Sequence, residues 1–224
     1  MELLLLAVTP AMVIIGYIYI RDKFEKEPFK LLVINFFLGA VVSVLITIIF
    51  GTILGVLLPV DDEKSIFQML IKAFIIVALI EEFSKYVIVR YVAQRSKEFN
   101  EPFDGIIYAV MVSMGFATLE NVIYVFQYGV ATGITRAFTA VPAHATFAIL
   151  MGYYMGKAKF SKNSAILNLT GLFTATFFHG AYDFFLFVHY IPGIWLGAIV
   201  SLLIGIVLSK KAIRKHQLSS KFRF

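Results

Sequence analysis

The chain has 224 residues, 60% of them hydrophobic and only 15% charged, with a mean hydropathy of +0.86. A soluble domain of this length carries more charge, so composition excludes that class and points to a polytopic membrane protein. The absence of cysteine excludes a disulfide, a thiolate nucleophile and a cysteine-ligated metal.

A span needs roughly 20 apolar residues. That template predicts an all-α membrane protein of about seven transmembrane helices (seven to eight), near 2–20, 30–58, 66–93, 104–127, 134–156, 164–189 and 191–209. The first run begins with Glu2 rather than a basic cluster, and no small-x-small site follows it, so it reads as a retained span rather than a signal peptide. In the second, Gly51, Gly55 and Pro59 are expected to bend or end the helix early. The last two are separated by a Pro-Gly turn at Pro192-Gly193. No soluble domain fits between spans, so residues 1–224 read as a single integral-membrane domain. Gly51-x-x-x-Gly55 and Gly152-x-x-x-Gly156 are expected to pack against helices of the same chain.

Basic residues set the orientation. Of twenty Lys and Arg, sixteen fall in alternate loops and the tail, two (Lys64 and Arg136) on the other side, and Lys72 and Lys85 inside the third span. The N-terminus is therefore expected outside and the C-terminus in the cytoplasm. The net charge of +6 reads as this topology plus attraction to anionic headgroups of the lipid bilayer, with no nucleic-acid partner.

Residues 75–90, IIVALIEEFSKYVIVR, place Glu81, Glu82 and Lys85 in the middle of an apolar run. Ionisable groups at that depth are costly and mark function. Glu81 and Lys85 share a helix face at i,i+4, whereas Glu82 sits about 100° away. Desolvation beside a second carboxylate suits a general base, and either glutamate fits that role with the other as its orienter. Asp104 reads as a helix N-cap. Glu120 and Asn121 lie in the outer half of the fourth span, either as an interfacial helix end or as supporting groups of the site. His144 follows Pro142, where a kink is expected. His179 and Asp183 share a face at i,i+4, and an aspartate there fixes an imidazole's tautomer and orientation. His189 and His216 read as surface residues. A site built from these groups opens toward the extracytoplasmic side.

Four ordered motifs carry a resemblance. EEFSK (81–85), FDGIIYA with GFATLEN (103–121), PAHATF (142–147) and HGAYD (179–183) resemble PrsW-type intramembrane proteases, distant relatives of the CAAX-prenyl and bacteriocin-processing peptidases. The resemblance covers about residues 70–190, taken as the catalytic core. It implies a multi-pass endopeptidase of the bacterial plasma membrane that makes the first, extracytoplasmic-side cut in a single-span anti-sigma factor. That cut leads to release of an extracytoplasmic-function sigma factor under envelope stress. Glu81 and Glu82 match the family's paired glutamates, Lys85 its basic partner, and His144, His179 and Asp183 its later motifs; the glutamates, both histidines and Asp183 are the expected catalytic residues. The wider superfamily's Phe-x-x-x-His is not matched at His144, because the position four before it is Ala140.

The expected chemistry is hydrolysis by a water held between Glu81 or Glu82 and His144, with His179, oriented by Asp183, stabilising the oxyanion. Metal-free glutamate chemistry with no cofactor is favoured, since HExxH is absent. A zinc version would use His144, His179 and Glu81 as ligands. The other classes compatible with intramembrane Glu, His and Asp are a proton- or cation-coupled transporter and a non-catalytic peptide-binding scaffold.

Overall fold

Lipid offers the backbone no hydrogen-bonding partner, so a chain this apolar satisfies its amides within helices. The computed structural model describes residues 2–223, and no strand occurs among them. Helix α1 spans Glu2–Arg21. Helices α2 (Phe29–Leu38) and α3 (Val44–Leu57) join through a π-helical turn at Gly39–Ser43. Helices α4 (Ile66–Ile71) and α5 (Ile80–Tyr91) join through a π-helical segment at Lys72–Leu79. There follow α6 (Pro102–Tyr128), α7 (Val130–Phe138), α8 (Ala140–Lys159), α9 (Ser164–Phe187) and α10 (Leu196–Leu218).

Five helical segments are long and apolar enough to cross a membrane: Glu2–Arg21, Phe29–Leu57, Pro102–Tyr128, Val130–Lys159 and Leu196–Leu218. The continuous helical stretch 66–91 and α9 fall outside these five. They carry Glu81, Glu82 and Lys85, and His179 and Asp183, respectively.

Helix α6 is the centre of the bundle. Its residues 103–117 are buried without exception, as expected for a helix that is apolar on every face. Helices α1, α2 and α8 pack around it, α9 packs on α8 and on the 72–79 segment, and α10 closes against α8 and α9. Helix α3 buries no side chain, and Val56, Leu57 and Ile48 stand exposed on it. In water so large an apolar face is a liability; in a bilayer it meets acyl chains.

The α6–α8 crossing explains one of the two small-residue pairs. A Cβ at Gly105 would run into the backbone of Gly152 and Gly156, and one at Gly152 into that of Gly105. The helices therefore touch backbone to backbone. Gly152→Leu is expected to force them apart and cost about 1–3 kcal/mol. Thermal unfolding in detergent measures the loss, and an unchanged midpoint contradicts this packing. Gly51 and Gly55, in contrast, meet nothing within 4 Å.

Several local expectations are corrected. Pro142 does not kink a helix: it is the third residue of α8, where its missing N–H has no intrahelical partner to lose. The break falls before it, at Thr139, and divides the expected span 134–156 into α7 and α8. Asp104 is not the N-cap. Glu101 holds that position, and Asp104 Oδ2 accepts the N–H groups of Asn100 at 2.6 Å and Glu101 at 2.7 Å from the first turn. Gly51 and Gly55 sit inside an uninterrupted α3, which ends at Leu57 just ahead of Pro59. The irregularity lies instead at Gly39–Ser43, where Gly39 backs onto the Val112 carbonyl. His216 is not a surface residue. Helix α10 continues through the basic tail to Leu218 and buries His216 to 1% exposure, stacked 4.5 Å from Tyr153.

Candidate active site

The site begins with the π-helical segment at Lys72–Leu79. A π turn holds one residue more than an α turn and rotates the faces of the helix beyond it; such turns are frequent at functional sites. Helix α5 starts immediately after the segment with Glu81 and Glu82. The Ser84 hydroxyl donates to the Glu81 carbonyl at 2.7 Å and lies 2.5 Å from the Ser43 hydroxyl, which ties α5 to the neighbouring π turn.

The two glutamates are placed differently. Glu82 is fully buried; its Oε1 accepts from Lys85 Nζ at 2.7 Å and pairs with His179 Nδ1 at 2.9 Å. Glu81 lies 3.6 Å from Lys85 Nζ and 4.0 Å from His179 Nε2 through Oε2, an oxygen with no hydrogen bond. Lys85 Nζ sits 4.3 Å from the centre of the Phe116 ring and 3.4 Å from His144 Nδ1. One ammonium thus serves both carboxylates, the arrangement that a buried pair of anions requires.

Helices α8 and α9 bring the histidines together, their rings 5.3 Å apart and perpendicular. His144 Nε2 donates to Glu120 Oε2 at 2.9 Å, which leaves Nδ1 as the acceptor facing Lys85. His179 Nε2 lies 3.3 Å from Asp183 Oδ2, the i,i+4 partner read from the sequence, and Phe147 stacks on the ring at 5.0 Å. With Nδ1 on Glu82 and Nε2 on Asp183, the His179 ring cannot turn without losing both contacts.

Glu120 is not a free helix end. It bridges His144 to Arg136 Nη2, 2.8 Å away on α7. Asn121 sits outside this inner set: Oδ1 accepts from Arg136 Nε at 2.9 Å, and Nδ2 donates to the Ala7 carbonyl at 2.8 Å, so it fastens α6 to α1 and α7. Arg136 belongs to the site although its position in the sequence speaks only for topology. A signal was there: it is the sole Lys or Arg between residues 98 and 156.

A cavity of about 460 Å³ adjoins these groups, with Glu81, Glu120, Arg136, His144, His179 and Asp183 in its walls. Glu82 and Lys85 do not reach it. Val77, Phe147 and Leu186 add apolar surface to the lining, which suits an extended peptide held beside a small polar centre. Glu81, Glu82, His144 and His179 each offer one ligating atom within 4.8 Å of the others. Two carboxylates and two imidazoles at that spacing fit a divalent ion of the zinc class in residue type and number. The same spacing fits a single bridging water.

Comparison with known proteins agrees with the four motifs. Residues 27–210 match a family model described as PrsW family intramembrane metalloprotease. The chain is 37% identical to Protease PrsW of Geobacillus kaustophilus, over 85% of this chain and 82% of that protein. It is 37% identical to Protease PrsW of Oceanobacillus iheyensis, over 83% of each. With Protease PrsW of Shouchella clausii the identity is 34%, over 95% of this chain and 98% of the other. No solved structure matches the chain. The chain belongs to the PrsW family of intramembrane proteases and is a multi-pass membrane protein.

Proposed function

We propose that this protein makes the first, extracytoplasmic-side cut in a single-span anti-sigma factor, starting the release of an extracytoplasmic-function sigma factor under envelope stress. The observation that carries the chemistry is the unequal placement of the paired glutamates: Glu81 on the cavity wall with only the 3.6 and 4.0 Å contacts to Lys85 and His179, Glu82 behind it hydrogen-bonded to both. Glu81 is then the general base. A water held between Glu81 and His144 loses its proton to the carboxylate as its oxygen attacks the scissile carbonyl. His179, held on Glu82 through Nδ1, shares with the oxyanion the Nε2–H that faces Asp183 at 3.3 Å. Glu81 returns the proton to the leaving amine.

All seven helical stretches of membrane length are read as spans, with the N-terminus outside. The polar cavity lies where α6 passes into α7, beside the start of α1, so this topology gives substrate access from the extracytoplasmic half.

Glutamate chemistry without a metal is supported by Lys85, a resident cation within 3.6 Å of both carboxylates. A second reading is favoured by the family's description as a metalloprotease and by the four-donor cluster. In it Glu81, His144 and His179 would hold zinc, which would supply Lewis acidity toward a bound water and the scissile carbonyl. The test is cleavage of a single-span anti-sigma factor by purified protein in detergent, with and without chelator. Chelator-resistant cleavage supports the glutamate mechanism. Cleavage lost to chelator and restored by Zn²⁺ assigns the metal, and no cleavage of a panel of single-span anti-sigma factors sinks the substrate assignment.

A further inference from the structure

At the end of the bundle opposite the cavity lies a second group of buried acids. Asp104 and Glu120 are both on α6, sixteen residues and therefore about 24 Å apart. Around Asp104 gather Glu25 and Glu27 from the α1–α2 connection, each offering a carboxylate oxygen within 4.8 Å of the others.

Each acid has one oxygen engaged and one left over. Glu25 Oε1 accepts from Asn100 Nδ2 at 3.1 Å, Glu27 Oε2 from the Tyr108 hydroxyl, and Asp104 Oδ2 from two backbone amides. The other oxygen of each is buried without a partner. Two further groups point the same way. Asp22, 1% exposed, has neither carboxylate oxygen hydrogen-bonded, and the side-chain carbonyl oxygen of Asn100 is likewise unpartnered.

Glu81, Glu82 and Glu120 sit on lysine, histidine or arginine. Among the described residues no basic side chain forms an ion pair with Asp22, Glu25, Glu27 or Asp104. Nearby Lys26 spends its ammonium on the backbone carbonyls of Tyr19 and Asp22. Buried anions need either a cation or protons.

We propose that Glu25, Glu27 and Asp104, flanked by Asp22 and Asn100, form a divalent-cation site of the Mg²⁺ or Ca²⁺ class, separate from the catalytic cluster. An all-oxygen donor set of carboxylates and an amide carbonyl is what hard cations take. Bound there, the ion clips the α1–α2 connection to the first turn of α6. The competing way to neutralise the cluster is protonation: burial pushes Asp22 up to about 7 and Glu27 up to about 9, the latter with Asp104 adding to the effect.

The experiment uses the full chain in detergent, with Mn²⁺ as the spectroscopic probe and Mg²⁺ and Ca²⁺ as competitors. Electron paramagnetic resonance reads bound Mn²⁺, and thermal unfolding reads stabilisation. The expected result is a site that Mg²⁺ or Ca²⁺ empties, retained in Glu81→Gln and weakened about tenfold in Glu25→Gln and Glu27→Gln. Glu25 is only half-buried, so its variant keeps the fold even if that of Glu27 does not. No binding at millimolar Mn²⁺, or equal binding by wild type and Glu25→Gln, overturns the proposal and leaves protons as the neutralising agent. The readout does not depend on proteolysis, so its failure is distinguishable from failure of the proposed function.

Discussion

Glu81→Gln is expected to lower the turnover of a cleavable substrate by about 10²–10⁴-fold while leaving the protein as stable as wild type. The amide keeps the size of the carboxylate but cannot take a proton from water. Glu81 has only the 3.6 Å contact to Lys85 and the 4.0 Å contact to His179 to lose. Glu82→Gln gives a different pattern. It weakens a 2.7 Å ion pair and a 2.9 Å contact to His179 in a fully buried position, so lost activity is accompanied by a lower unfolding midpoint. Turnover and thermal unfolding of both variants, measured on the same preparations, separate the two roles. Loss of activity without loss of stability at Glu82, and the reverse at Glu81, would invert the assignment.

Lys85→Met carries the second large effect. It removes the cation from between two buried carboxylates and leaves them facing each other in a low-dielectric interior. Breaking a buried pair from one side costs about 3–5 kcal/mol, because the remaining charge is uncompensated. The cost is expected to fall by more than half in Lys85→Met/Glu82→Gln, where the stranded anion is removed as well. Thermal unfolding in detergent measures both. A single variant as stable as wild type shows that Lys85 does not hold the cluster together.

The chemistry-bearing helices were legible because charges at bilayer depth stand out against apolar sequence. Glu81, Glu82 and Lys85 interrupt a run that is otherwise almost entirely apolar, and the i,i+4 spacing of His179 and Asp183 reads directly as one helix face. Which glutamate faces the cavity was not legible. Adjacent helical residues differ by about 100°, and the side that becomes a cavity wall is set by α6, α8 and α9 packing around the 72–79 segment.

Arg136 escaped notice as a site residue because a cation beside a loop ordinarily reports topology. Its contacts with Glu120 and Asn121, on the neighbouring helix α6, are long-range pairings that no local pattern shows. Glu120 itself stood evenly between an interfacial helix end and a functional group. Its contacts with His144 on α8 and Arg136 on α7 join three separate helices, which no local pattern announces. Pro142 misled for a related reason: whether a proline kinks a helix or starts one depends on where the preceding residue breaks. His216 misled because neighbouring Lys211, Arg214 and Lys215 suggest solvent, whereas α10 continues as a helix and turns that one position under Tyr153.

The α1–α2 connection shows the converse limit. Glu25 and Glu27 stand in the sequence among Lys23, Lys26 and Lys30, with no pattern that marks them out. Their burial against Asp104 arises only because α6 begins beneath them, with Tyr108 reaching Glu27 from its second turn.

The most direct test of the central claim, that Glu81 activates water at a site open to the extracytoplasmic side, is cleavage in oriented proteoliposomes. A single-span anti-sigma factor is reconstituted with wild type or Glu81→Gln, and the products are identified by mass spectrometry. The expected product has one new terminus at or just beyond the extracytoplasmic end of the substrate's span, formed by wild type and absent with Glu81→Gln. A cut on the cytoplasmic side, or the same product from the variant at an undiminished rate, contradicts the claim.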